Sequence, residues 1–150
     1  MQIEYLLNQI NSIIDSFVKT IDEDYSSQIG SDFEALLDDE IIEWTPICTE
    51  NSAITFYNDF VSRYPQAKTF TVFTLSILHE VGHLETKDEM VNDIEERNTI
   101  TDCQTYYNLF NERIATDWAG WWLVTNYCQV KALDDTIEKL FRKLINALDN

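Results

Sequence analysis

A mainly α-helical domain is what this chain predicts, with at most a small β element near residues 41–49. Three observations carry that reading. The 150 residues include only three glycines and two prolines, too few breakers for the many tight turns of a sheet-rich fold. The apolar residues recur at alternating steps of three and four, the spacing that returns to one face of a helix. Apolar residues make up 45% of the chain, enough for an ordinary core in one domain spanning 1–150.

The first helix runs from Ile3 and ends near Asp22 to Asp24, with Ile3, Leu7, Ile10, Ile14, Phe17 and Ile21 on one stripe, widened by Leu6, Ile13 and Val18. Such a seam suits either a core-facing helix or a short coiled coil with another chain. Ser31 and Glu34 form a capping box for a second helix, whose face is Phe33, Leu36, Leu37, Ile41 and Trp44 and which Pro46 ends. Residues 41–49 hold the best candidate for a short extended segment. A third helix opens at Asn51 or Ser52, presents Ile54, Tyr57, Phe60, Val61 and Tyr64, and closes before Pro65. A fourth spans Lys68 to Glu85 and is rich in β-branched residues, so burial rather than intrinsic propensity must hold it. A short helix around Met90 to Arg97 interrupts a polar, acidic excursion that could wall a cleft. The stretch Cys103 to Gln129 reads as one central helix, apolar on nearly every side; its tryptophans suit core packing better than a ligand-stacking box. The last helix, Leu133 to Leu148, carries the exposed pairs Asp135 with Lys139 and Glu138 with Arg142.

The chemistry concentrates in Ser76-Ile77-Leu78-His79-Glu80-Val81-Gly82-His83-Leu84, which holds both histidines of the chain. On a helix, a spacing of four brings His79 and His83 to one face, where two imidazoles can share one metal ion. Glu80 lies roughly 100° around the helix from His79, which suits a general base acting on a metal-activated water. A catalytic zinc takes three protein ligands and leaves a fourth position open, so one ligand is missing. The third histidine of the extended metzincin pattern would fall where Glu89 stands. The remaining ligand must therefore be a carboxylate. Most downstream acids sit in a polar run, but Glu112 lies within an apolar helical segment, where an unpaired charge is costly to bury. Ala115 and Ala119 continue its stripe with small side chains, and Gly82 leaves room for a close neighbour. The site so inferred is His79, His83 and Glu112 for Zn2+, with Glu80 as the catalytic base.

His-Glu-x-x-His, followed about thirty residues later by Glu112-Arg-Ile-Ala115-Thr116-Asp-Trp118-Ala119, resembles the gluzincin arrangement and is most similar to the ImmA/IrrE-like metallopeptidases. The resemblance covers some forty to fifty residues. It implies a zincin-like domain, the ligand set above, and hydrolysis of a peptide bond in an intracellular protein such as a DNA-binding repressor. An edge strand that binds the substrate backbone is a feature of gluzincins, and residues 41–49 are the candidate for it. Thr116 stands where the family usually has Asn or Asp, a group that steadies a ligand histidine, and Asp117 is one position late for that role. With no third histidine in the chain, a tyrosine, an arginine or a backbone amide must stabilise the oxyanion.

Composition narrows the partners. A formal charge of −17, from ten basic and twenty-seven acidic residues, argues against direct nucleic-acid binding, which needs clustered lysine and arginine. The acidic surface serves solubility, or attracts a basic partner such as a DNA-binding protein. The competing functional class is a non-catalytic acidic binding protein or DNA mimic. Cysteines 48, 103 and 128 follow no disulfide or zinc spacing. With neither a signal-peptide pattern nor a long apolar run, a cytoplasmic location is expected and a membrane is not.

Overall fold

The computed structural model describes residues 2–22 and 51–149. The expected second helix from Ser31 and the expected extended segment at 41–49 lie outside the described residues. Among the described residues there are seven α-helices and no strand, so the chain is mainly helical. They are α1 (Gln2–Ile21), α2 (Asn51–Arg63), α3 (Val72–Glu85), α4 (Ile94–Thr99), α5 (Cys103–Tyr107), α6 (Phe110–Thr125) and α7 (Tyr127–Asp149). Single 3-10 turns at Pro65–Ala67 and Lys87–Glu89 flank α3.

The stripe of α1 packs within the chain: Leu6, Ile10, Ile14, Phe17 and Val18 are buried, and the helix lies along α7. Its partner face is Leu133, Ile137, Leu140, Phe141 and Leu144. Each fully buried Leu, Ile or Phe contributes about 1.5–3 kcal/mol, so this apolar seam holds the long helices together. Among the described residues no helix is long and apolar enough to cross a membrane.

Four of the expected helices have other boundaries in the structure. The expected helix from Lys68 begins at Val72, because Thr71 takes an extended conformation and caps it, its Oγ1 accepting the Thr74 N–H at 3.2 Å. Asp134 of α7, fully buried, accepts both the Thr71 N–H and its hydroxyl at 2.8 Å. A side chain sixty-three positions away thus fixes where α3 starts. The expected single helix from Cys103 to Gln129 is broken twice, at the extended, buried Leu109 and at Asn126, whose backbone N–H and side-chain Nδ2 both donate to the Trp122 carbonyl. Apolar residues continue across both breaks, which is why periodicity alone joined the pieces. The expected start of the last helix at Leu133 accordingly moves back to Tyr127. On that helix Glu138 pairs with Arg142 at 2.8 Å, whereas Asp135 pairs with Lys131 at 3.2 Å instead of Lys139. The helix expected at Met90 to Arg97 covers Ile94–Thr99, because the Asn111 side chain bonds both the N–H and the carbonyl of Val91, holding that residue out of helix.

The pair that positions the site is α3 against α6. A Cβ added to Gly82 would stand 2.4 Å from the Ala115 carbonyl oxygen, so the two backbones meet where neither helix has bulk. Gly82 and Ala115 bring the backbones together, and the side chains one turn away on each helix converge.

Candidate metal centre

His79 and His83 lie one turn apart on α3, with ring centroids 4.6 Å from each other and ring planes nearly perpendicular. Their Nε2 atoms are 3.0 Å apart. From α6, Glu112 Oε1 reaches His79 Nε2 at 3.1 Å and His83 Nε2 at 3.2 Å. Glu112 and His79 are buried, at 3% and 5% exposure, while His83 is half-buried. The three residues singled out as ligands thus converge on one point. Three donors at about 2.0–2.1 Å from a tetrahedral zinc stand about 3.3 Å from one another, so a triangle with edges of 3.0, 3.1 and 3.2 Å suits that ion.

The chemistry of the three groups also favours positive charge between them. Two imidazole nitrogens and a carboxylate oxygen face one another, and three lone pairs at this distance repel unless protons or a cation lie between them. Burial, the largest influence on the Glu112 carboxyl, raises its pKa, but hydrogen bonds to His79, His83 and Arg97 outweigh it and hold the carboxyl well below the usual range. Burial lowers His83, yet contact with Glu112 and the nearby charge of Glu80 leave it above the ordinary imidazole value. The acid is therefore held ionised, and the cluster favours positive charge at its centre.

A second carboxylate competes for the third position. Glu80 brings an oxygen within 4.8 Å of both imidazole donors, but it is exposed, whereas Glu112 is buried in direct contact with both. Glu112 is thus the better placed of the two to meet an ion between the rings, and Glu80 is left on the solvent side.

The surroundings hold the rings. His79 Nδ1 is 3.0 Å from Thr116 Oγ1, and Phe56 of α2 meets the His79 ring edge-on at 5.3 Å. With the Nδ1 proton donated to Thr116, Nε2 presents its lone pair to the cluster. The departure at Thr116 is therefore filled by the threonine itself, while Asp117 binds the Tyr64 hydroxyl at 3.2 Å away from the rings.

No known protein family, curated protein or solved structure matches the chain.

Several residues at the site escaped the sequence reading. Arg97 of α4 donates to Glu112 Oε2 at 2.9 Å, to the Tyr106 hydroxyl at 3.1 Å and to Asp93 Oδ1 at 2.8 Å. Tyr106, which lies well off the helical face of Glu112 if 103–129 is one helix, reaches the site because the break at Leu109 swings α5 back. One signal was present: Arg97 is the only basic residue between positions 88 and 112, in a run of acids where a lone cation is conspicuous.

Proposed function

We propose that this chain is a zinc-dependent peptidase with a zincin-like, gluzincin-type site, acting in the cytoplasm on a protein substrate. The observation that carries the reading is the triangle of His79 Nε2, His83 Nε2 and Glu112 Oε1, assembled from two helices and sized for one zinc ion. Glu80 beside it, exposed and within reach of the same point, supports a hydrolytic centre over a closed structural site. The similarity of the Glu-x-x-Ala-Thr-x-Trp-Ala helix to ImmA/IrrE-like enzymes supports the same class.

Zinc, when bound here, supplies Lewis acidity, polarising a carbonyl and easing deprotonation of water. The protein's own groups do the rest. Glu80 takes the proton from the attacking water and returns it to the leaving amine. Glu112 and the two imidazoles would hold the cation, and their packing between α3 and α6 fixes their own positions. Tyr106 accepts a hydrogen bond from Arg97 and keeps its own hydroxyl proton to donate to a substrate oxygen, the part left unassigned by the lack of a third histidine. Burial, first, and the negative charges of Glu112 and Glu80 keep this phenol protonated by raising its pKa. The charge of −17 favours a basic substrate, such as a DNA-binding repressor.

The test combines metal analysis with hydrolysis of a fluorogenic library of Lys/Arg-rich peptides. Wild type is expected to purify with one zinc per chain and to cleave members of the library. His83→Ala and Glu112→Ala lose the zinc, and Glu80→Gln keeps it while hydrolysis falls by at least about a hundredfold. Full activity in Glu80→Gln refutes the mechanism. A wild-type protein that binds no zinc refutes the enzyme and leaves the acidic binding protein in its place.

A further inference from the structure

Arg97 spends each of its nitrogens on a different partner. Nε donates to Asp93 Oδ1 at 2.8 Å, one terminal nitrogen to the Tyr106 hydroxyl at 3.1 Å and the other to Glu112 Oε2 at 2.9 Å. The guanidinium also lies over the Tyr106 ring, 5.2 Å from its centroid. Its anchor is fixed in turn: Asp93 is buried and accepts from Asn111 Nδ2 at 3.3 Å, and Asn111, the residue before Glu112, clasps Val91 through both backbone groups. The contacts close a circuit from α6 through the segment 91–93 to Arg97 and back to the neighbouring residue on α6. An exposed charge pair needs no such scaffold.

The two oxygens of Glu112 are used differently. Oε1 contacts both imidazole nitrogens, while Oε2, 3.2 Å from His83, is held by Arg97. A carboxylate oxygen that already accepts from a guanidinium N–H is a weaker donor to a metal than its free twin, which favours binding through one oxygen.

Resting on the metal-centre reading above, we propose that Arg97 is a positioning residue that restricts Glu112 to a single donor oxygen and so keeps the ion four-coordinate. Simple charge compensation for a buried acid is the plainer role, and lysine would serve it equally well. Lysine's three N–H bonds radiate from a single nitrogen, so it does not reproduce the planar spread of three guanidinium nitrogens that reaches Asp93, Tyr106 and Glu112.

Cobalt(II) loaded into the metal-free protein reports the difference, because its visible bands are more intense at four-coordinate than at five-coordinate sites. Wild type is expected to give the intense four-coordinate spectrum. Arg97→Met frees Oε2, so the bands weaken, and zinc binding measured by competition with a chromophoric chelator falls about 10- to 100-fold. Arg97→Lys is expected to follow Arg97→Met. An Arg97→Met spectrum and zinc affinity equal to wild type overturn the proposal, as does full recovery by Arg97→Lys. Should Arg97→Met lose its helical circular dichroism, Asp93→Asn decides instead, since it loosens the arginine without removing it: weakened bands support the proposal and unchanged bands overturn it. A wild-type chain that binds no cobalt at all removes the metal-centre reading as well, an outcome distinct from wild-type binding with an indifferent arginine.

Discussion

The contact between Thr116 and His79 shows how one hydroxyl can decide what an imidazole does. Oγ1 of Thr116 is buried and 3.0 Å from Nδ1, so the ring's other nitrogen is turned towards His83 and Glu112. A hydroxyl accepts less strongly than a carboxylate, so His79 is a slightly poorer donor than a carboxylate-backed imidazole, without losing its orientation. Thr116→Val removes the hydroxyl and preserves the shape. Zinc affinity is expected to fall about tenfold with the helical content unchanged, as read by chelator competition. Identical affinity in the two proteins would mean that Phe56 and the helix alone hold the ring. None of this was visible as a contact in the sequence, where Thr116 registered only as a departure from a pattern. Four positions beyond Glu112 on the same helix, it shares that residue's face, and the face became meaningful once α3 was laid against it.

At the scale of the element, the decisive event is the approach of α3 to α6. Gly82 is ordinarily a cost to a helix, about 1 kcal/mol relative to alanine. Here the alanine methyl would meet the Ala115 carbonyl at 2.4 Å, a backbone atom that cannot swing aside. Gly82→Ala is therefore expected to destabilise the protein by about 1–3 kcal/mol despite its better propensity, seen as a lower urea midpoint. Zinc affinity should fall with it, because separating the helices separates Glu112 from the rings. A higher midpoint would show that the helices can part without harm. The close approach was readable beforehand from Gly82, Ala115 and Ala119. The start of α3 was not, because it depends on Asp134 binding Thr71 from another helix, and local pattern carries no trace of a partner sixty-three residues away. The breaks at Leu109 and Asn126 were hidden for a different reason: both sides of each break are apolar, so the period runs on while the axis turns.

For the whole molecule, the charge of −17 sets a long-range field that no single contact reveals. At low salt that field reaches about 30 Å, and at physiological salt about 8 Å. Cleavage of a Lys/Arg-rich peptide is therefore expected to lose several-fold in kcat/KM as salt rises over that range, chiefly through KM, while a neutral peptide of equal length changes little. Equal salt dependence for both peptides would remove the acidic surface from substrate selection.

Helical class, the amphipathic faces of α1 and α7, and which three residues converge, His79, His83 and Glu112, were all determined by the sequence itself. Each rests on spacing along one helix, or on the cost of burying a charge without a partner, and both are properties of local order. Tertiary structure alone decided where α3 begins, where the central stretch breaks, and that Arg97 and Tyr106 stand over Glu112. Those outcomes depend on side chains from separate elements meeting in space, and the energy that fixes them exists only when the elements are packed.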